Sequence, residues 1–239
     1  MSDVLIIADV QDGKIKKVTK ECLTAAKAMG GKSIVLVFGA EGEADALKAA
    51  GADVIVNSSI DYSPEGVADV AAKVAEEKGA SVVLTGHTYG GKDFAPRIAA
   101  KLGAGIVSDV VEVKLDGGKL KAKKPTFSGK AFANVTVQTD KAVVTIRPNS
   151  IEVQEAAGEG AVEASSADGG SIQTKFTSTE ASDGPKIQLT EAGIIVSGGR
   201  GMKGPENYAM LQELCDVIGA ALGASRAAVD SGWIDHSHQ

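Results

Sequence analysis

Short apolar runs recur along the first hundred residues, and each run is followed by a stretch with the apolar spacing of a helix. The predicted strands are residues 4–8, 33–38, 54–56 and 82–85. The predicted helices are residues 19–29, 44–50, 64–77 and 93–102. Continuous Val/Ile strands that alternate with helices are typical of a parallel sheet covered on both faces. The alternation therefore predicts an α/β fold at the start of the chain.

Composition supports this prediction and excludes other classes. The 239 residues include 29 glycines but only 6 prolines, a balance typical of many βα turns. A net charge of −6 argues against nucleic acid as a partner. Cys22 and Cys215 are far apart in sequence, so we expect no disulfide framework, no zinc site and a reducing compartment. Without a basic leader or a long apolar stretch, the sequence predicts a soluble cytoplasmic (bacterial) protein with no membrane insertion.

The pattern changes between residues 106 and 152, where helical periodicity gives way to alternation. Alternation at 111–115, 135–137 and 143–147 predicts antiparallel strands, either added to the sheet or packed beside it. Lys119, Lys121 and Lys123 would share one face of such a strand. That face is either an anion or nucleic-acid patch or a solvated outer face, and we favour the solvated face.

A second domain is predicted to follow a linker. Residues 155–184 are rich in small and polar residues and read as an irregular connection. The βα pattern then restarts with a strand at 193–196, a glycine-rich loop at 197–204, a helix at 206–222 and a short strand at 224–229. We therefore divide the chain into an N-terminal α/β domain, residues 1–184, and a partial C-terminal domain, residues 185–239. So short a piece leaves a sheet edge and a helix face to be covered, either by a partner or by further chain.

The glycine-rich loop carries the first candidate site. Gly199, Gly201 and Gly204 form a GxGxxG pattern between a strand and a helix, where backbone N–H groups can hold an anionic ligand. The alternative is a tight turn that binds nothing. Arg200 favours a ligand, because its planar guanidinium can brace a phosphate, a flavin or a partner carboxylate.

Arg226 is the second candidate. The small residues on both sides of it, Ala224-Ser225 and Ala227-Ala228, let a flat group approach. A fixed cation beside a flavin would favour the reduced anionic form and raise its potential. The alternative is a surface ion pair between Arg226 and Asp230.

Other residues point less clearly to chemistry. The turn from His87 to Gly91 also joins a strand to a helix, but it lacks P-loop spacing, and a capping or core role suits His87 better than catalysis. His236 and His238 lie near the end of the sequence, and we expect no metal there. No Ser/His/Asp, Cys/His or paired-carboxylate arrangement stands out, so we predict no catalytic residues.

Three segments together resemble the alpha subunit of an electron transfer flavoprotein: residues 196–201 (VSGGRG), 206–208 (ENY) and 223–233 (GASRAAVDSGW). Residues 92–102 and Ser108-Asp109 extend the similarity into the first domain. The resemblance implies a Rossmann-like N-terminal domain that binds no nucleotide and a second domain that binds FAD. It also implies that Gly199, Gly201, Arg200 and Ser225 contact FAD, with Arg226 against the isoalloxazine.

The resemblance further implies an electron carrier subunit, not an enzyme. Its beta partner would hold AMP, and the heterodimer would pass electrons from dehydrogenases, such as the acyl-CoA dehydrogenases of fatty acid oxidation, to a quinone oxidoreductase. In the family, further FAD-contacting residues follow the segment that corresponds to 235–239. We therefore expect a C-terminally incomplete FAD domain that holds FAD weakly. The alternatives are a bifurcating or nitrogen-fixation-linked flavoprotein, a flavin-free docking scaffold, and a nucleotide-binding domain that uses the His87–Gly91 turn.

Overall fold

A computed structural model describes residues 3–178, 187, 189, 190 and 192–239 of the chain. The chain divides into two compact units, Met1–Phe176 and Thr177–Gln239. The boundary predicted at residue 184 lies outside the described residues. No helix in the described ranges is long and apolar enough to cross a membrane.

The first unit contains most of the regular structure. Its strands are β1 (Val4–Ile7), β2 (Val10–Gln11), β3 (Lys14–Ile15), β4 (Ser33–Phe38), β5 (Val54–Ser58), β6 (Val82–Gly86), β7 (Gly105–Val110), β8 (Glu112–Asp116), β9 (Lys119–Thr126), β10 (Ala131–Thr136), β11 (Ala142–Ile146) and β12 (Ala161–Ala164). Its helices are α1 (Lys17–Met29), α2 (Ala44–Ala49), α3 (Pro64–Glu77) and α4 (Tyr89–Leu102).

Seven of these strands form one parallel sheet in the order β12-β5-β4-β1-β6-β11-β7. Side chains alternate across the sheet, so its inner strands contribute to two cores. Val4 and Ile6 pack on the face that carries α1, while Leu5 and Ile7 pack on the face that carries α3 and α4. This arrangement confirms the predicted α/β fold with a parallel sheet buried on both faces.

The helices begin and end where local chemistry allows it. In α3, Pro64 stands in the first turn and the Ser63 hydroxyl accepts a hydrogen bond from the Gly66 N–H at 3.1 Å. In α4, Thr88 caps the first turn, and Gly103 ends the helix with φ 58°. Helix α4 therefore starts four residues before the predicted position at 93.

A separate antiparallel sheet in the order β10-β9-β8 packs against the α1 side of the core. Leu120 and Ala122 face that core, while Lys119, Lys121 and Lys123 alternate with them and face outward. The prediction of antiparallel strands beside the sheet is thus confirmed for β8 to β10.

Two predictions within the first unit are wrong. Residues 143–147 were expected in an antiparallel strand, but β11 is parallel and lies between β6 and β7. Its five residues are all buried, so it belongs to the continuous apolar runs and not to the alternating ones. The connection expected at 155–184 contains β12, which adds to the edge of the sheet beside β5. All four β12 side chains are exposed, so backbone hydrogen bonds hold this strand without an apolar pattern that a sequence could show.

The second unit contains β13 (Ile195–Gly198), α5 (Tyr208–Ile218), β14 (Ala221–Ala224) and α6 (Arg226–Asp230). Its helix was predicted to run to residue 222, but Gly219 ends it with φ 67°. The chain released by that turn forms β14, parallel to β13. The strand predicted at 224–229 is therefore wrong, because Ser225 starts the short helix α6 there.

Candidate functional site

The carboxyl ends of β13 and β14 lie side by side. Gly198, the last residue of β13, is in register with Ala224, the last residue of β14. The Ser225 N–H donates a hydrogen bond to the Gly198 carbonyl at 2.9 Å. In parallel sheets, ligands bind in the crevice outside these strand ends. The pairing brings the two segments predicted to carry the site, 199–201 and 225–226, to one edge.

The glycines of this edge fall into two groups. A Cβ added to Gly198 would lie 2.7 Å from a Tyr208 ring carbon, and one added to Gly223 would lie 2.5 Å from the Ser197 hydroxyl. Packing within the unit therefore requires these two glycines. A Cβ at Gly199 would instead meet the Ser225 hydroxyl at 3.4 Å, an ordinary contact, and one at Gly201 would meet nothing within 4 Å.

Neither Gly199 nor Gly201 has a left-handed backbone conformation. Neither a left-handed backbone nor packing within the unit therefore explains why these two residues are glycines. Close approach of a ligand to the loop explains them, because glycine removes the side chain that would stand between the ligand and the backbone.

Arg200 and Ser225 present polar groups beside this open space. Arg200 starts a short 3₁₀ turn, is exposed, and makes no ion pair within the part of the chain that the structure describes. Ser225 precedes α6, yet its hydroxyl makes no capping hydrogen bond. A serine at this position usually bonds a helix N–H. Both side chains are thus placed to contact a ligand.

Arg226 forms the ion pair that the sequence offered as an alternative. Its Nε lies 3.4 Å from Oδ2 of Asp230, one turn further along α6, and the Arg226 side chain is 80% exposed. Exposed pairs of this kind contribute little to stability. The ion pair therefore leaves the guanidinium accessible to a ligand that packs against the strand ends.

The His87 turn uses its polar groups internally. Nδ1 of His87 lies 2.8 Å from the Thr145 hydroxyl, and burial lowers the pKa of the imidazole. A Cβ on Gly91 would lie 1.9 Å from the Gly86 carbonyl oxygen, so this turn folds tightly onto its own strand. The Gly91 N–H donates to the Thr88 hydroxyl at 3.3 Å. The glycines here serve packing and capping.

The remaining candidates are structural. Nδ1 of His238 lies 2.9 Å from the Leu222 carbonyl oxygen. The described ranges contain no group of three or more residues that could hold a metal ion. Cys22 and Cys215 are both buried and free, and burial holds the pKa of the Cys22 thiol well above its usual range.

Two features of the structure were not found from the sequence. The Tyr208 ring packs on Gly198, and its buried hydroxyl has no hydrogen-bond partner among the described residues. In the first unit, Arg147 binds both carboxylate oxygens of Asp109, at 2.8 and 2.7 Å. Asp109 has φ 62°, and its N–H donates to the Thr145 hydroxyl. In the sequence, residues 145–147 (TIR) and Ser108-Asp109 show only the alternation typical of strands. That alternation does not predict an ion pair between Asp109 and Arg147.

Known families match both units. Residues 4–169 match the electron transfer flavoprotein domain, and residues 188–239 match the electron transfer flavoprotein FAD-binding domain. The chain is therefore a flavoprotein-type α/β protein, and the candidate site falls within its match to the FAD-binding domain.

Full-length relatives define the family more narrowly. The chain is 39% identical over 251 residues to electron transfer flavoprotein subunit alpha of Syntrophomonas wolfei subsp. wolfei, spanning 100% of this chain and 78% of that protein. It is 33% identical over 247 residues to the subunit of the same name from Bacillus subtilis, with 99% and 76% coverage. Protein FixB of Clostridium saccharobutylicum is 30% identical over 254 residues, with 99% and 75% coverage. The chain belongs to the electron transfer flavoprotein alpha subunit family, and the resemblance seen in the sequence is confirmed.

The residues at the strand ends fit FAD chemically. FAD combines anionic phosphates with a planar ring system. The loop offers open space at Gly201 and an arginine beside it, and α6 begins with a serine hydroxyl and a second arginine. Guanidinium groups bind phosphates and stack on flat rings, and hydroxyl groups accept or donate hydrogen bonds.

Proposed function

We propose that this chain is the FAD-carrying alpha subunit of a heterodimeric electron transfer flavoprotein, and that it acts as an electron carrier without a substrate of its own. The observation that carries this proposal is the register of β13 and β14. In that register, residues 199–201 and 225–226 follow the paired ends of the two strands, and both segments lie within the match to the FAD-binding domain.

Each residue has a distinct role in this proposal. When bound, FAD supplies the redox chemistry. Gly199 and Gly201 let the cofactor approach the backbone, while Arg200 and Ser225 bind its polar groups. Arg226 provides a fixed positive charge close to the ring. A fixed cation stabilises added negative charge, so Arg226 raises the reduction potential.

The proposed partners follow from the family. A beta subunit that binds AMP completes the heterodimer in the cytoplasm. Dehydrogenases, including the acyl-CoA dehydrogenases of fatty acid oxidation, supply the electrons, and a quinone oxidoreductase receives them. The name that most of the relatives share, subunit alpha, supports a second subunit.

The test is FAD binding by the complex co-purified with the beta subunit, measured with FAD supplied in excess. We expect flavin absorbance bands and one bound FAD per alpha chain at saturation, bleached when an acyl-CoA dehydrogenase and its substrate are added. Arg200→Ala should reduce the bound FAD. Arg97→Ala is the matched control, since it removes an exposed arginine from an i,i+4 pair with Asp93 in the first unit. A complex free of flavin would refute the carrier and favour the docking scaffold.

A nitrogen-fixation-linked or bifurcating flavoprotein is the second candidate, supported by the similarity to protein FixB. The two candidates differ in flavin content, because the beta subunit of a bifurcating protein carries a second flavin. Two flavins per heterodimer would favour the second candidate. One flavin together with AMP would favour the first.

A further inference from the structure

The turn between β9 and β10 has a backbone conformation that its residues disfavour. The Gly129 N–H donates to the Thr126 carbonyl at 3.0 Å, and both residues between them, Phe127 and Ser128, have positive φ values of 50° and 56°. Hairpin turns of this geometry favour Asn-Gly, because positive φ is costly for residues with larger side chains. A phenylalanine in the left-handed region is an outlier.

This turn also exposes aromatic surface. The Phe127 side chain is 81% exposed, and Phe132 on the neighbouring strand is 54% exposed. The Lys123 ammonium group lies 4.7 Å from the centroid of the Phe132 ring. Phe127 thus combines a strained backbone with an apolar side chain in water, and the fold gains no core contact in return. Such a combination points to a function outside the chain.

The surroundings of the turn are basic. Residues 117–139 include five lysines and no acidic residue, although the whole chain has a net charge of −6. Two of these lysines, Lys119 and Lys121, pair with Asp140 and Asp116 just outside the segment, which leaves Lys123 and Lys130 nearest the turn. Further along the same strands, the outer face of the sheet forms a groove of about 290 Å³, whose charged lining is three lysines, Lys114, Lys121 and Lys123, and one glutamate, Glu112. An aromatic anchor within a basic rim suits a protein surface with an apolar pocket surrounded by acidic residues.

We infer that the hairpin tip, defined as Phe127, Phe132 and the neighbouring Lys123 and Lys130, docks the beta subunit. This inference rests on the proposed heterodimer. Phe127 fills an apolar pocket of the partner, and the lysines face its acidic residues. Insertion of Phe127 removes its apolar surface from water, which offsets the strain of the turn. The beta subunit is the occupant that the proposed function supplies, while a second copy of this chain and a nucleic acid are outcomes that the test distinguishes.

The decisive variant is Phe127→Asn, because asparagine tolerates a positive φ. Titration of purified beta subunit with the full chain should show binding weakened about 10- to 30-fold. The unfolding midpoint of the chain alone should stay the same or rise, since strain and exposed apolar surface are both removed. Loss of binding without loss of stability separates a docking contact from a folding defect. Tyr89→Asn is the control: Tyr89 is 92% exposed but lies on α4, so its removal should change neither quantity.

Charge reversal tests the basic rim separately. Lys123→Glu together with Lys130→Glu should slow association with the beta subunit and make its rate less sensitive to salt. Lys14→Glu, which reverses an exposed lysine of β3, is the control and should leave the salt dependence unchanged.

The outcomes separate the two proposals. If the wild type binds the beta subunit and Phe127→Asn binds equally well, the docking surface is wrong while the heterodimer stands. If the wild type does not bind the beta subunit, the proposed function fails and the docking surface fails with it. An equal loss with Tyr89→Asn would place the effect outside the hairpin. Self-association of the chain, or binding of a DNA oligonucleotide, that Phe127→Asn abolishes while beta binding persists would assign the hairpin to a different occupant.

Discussion

Alanine substitutions at two glycines, Gly198 and Gly201, should separate folding from cofactor binding. The two residues lie in one segment, three positions apart, at the end of β13. A Cβ on Gly198 would lie 2.7 Å from the Tyr208 ring and 2.9 Å from the Leu211 side chain, both part of the apolar core of the second unit. A Cβ on Gly201 would point into open space.

These contacts set the expected magnitudes. Overpacking of a core typically costs about 1–3 kcal/mol, so Gly198→Ala should lower the free energy of unfolding by that amount. For a unit of this size, each kcal/mol corresponds to a shift of about 4–8 °C in the unfolding midpoint. Gly201→Ala should stay within about 0.5 kcal/mol of the wild type. The same methyl group would stand in the path of the cofactor, so we expect FAD affinity to fall about tenfold or more.

Thermal unfolding of the heterodimer and quenching of flavin fluorescence on binding measure the two effects. We expect opposite patterns. Gly198→Ala should mainly lower stability, whereas Gly201→Ala should lower FAD affinity and keep the stability of the FAD-free protein. Two results would refute this expectation. Full FAD affinity in Gly201→Ala would show that the cofactor does not approach this loop. Equal destabilisation by both variants would show that the open space at Gly201 is needed by the fold.

Three further predictions concern single side chains. Arg226→Ala should lower the reduction potential of the flavin by an amount on the order of tens of millivolts, and Arg226→Lys should restore part of that potential. Dye-equilibrated redox titration measures both, and an unchanged potential would show that Arg226 does not lie at the flavin. Asp109→Asn should cost less than about 1 kcal/mol at pH 7, because the pair with Arg147 is partly exposed and asparagine also tolerates φ 62°. The Arg147 guanidinium lowers the pKa of Asp109 below 3.8. The difference in free energy of unfolding between the wild type and Asp109→Asn, measured by urea titration, should therefore be complete above that pH and disappear as the pH falls further. A difference that does not change with pH would contradict the ion pair. Buried Cys22 and Cys215 should react with a thiol reagent only upon unfolding, and rapid labelling of either in the native protein would contradict the packing.

The sequence predicted the elements that carry their own signal. Buried strands β1, β4 and β6 are continuous apolar runs, and α3 has a proline and a capping serine at its start, so both kinds of element were found within a few residues. Strand β12 was missed because its side chains are all exposed, and it is held by backbone pairing with β5 and by the ion pair of Glu163 with Lys78. Strand β11 was assigned the wrong direction, since strand direction is set by distant partners and not by the five residues themselves.

The candidate site shows the same division between local and long-range information. Gly199, Arg200 and Arg226 could be chosen from the sequence because a GxGxxG pattern between a strand and a helix, and arginines within it or among small residues, indicate an anionic or flat ligand. Their placement at one edge depends on the register of β13 and β14, two four-residue strands whose short apolar sequences do not specify it. If β14 paired with β13 two residues out of this register, every side chain would stay on its face of the sheet. Arg226, however, would lie about two residues further from Arg200 along the strands. The hydrogen bond from Ser225 to Gly198, together with the close fit of Tyr208 on Gly198, specifies the observed register. Contacts that the sequence did not predict therefore determine whether the two arginines can act on one cofactor.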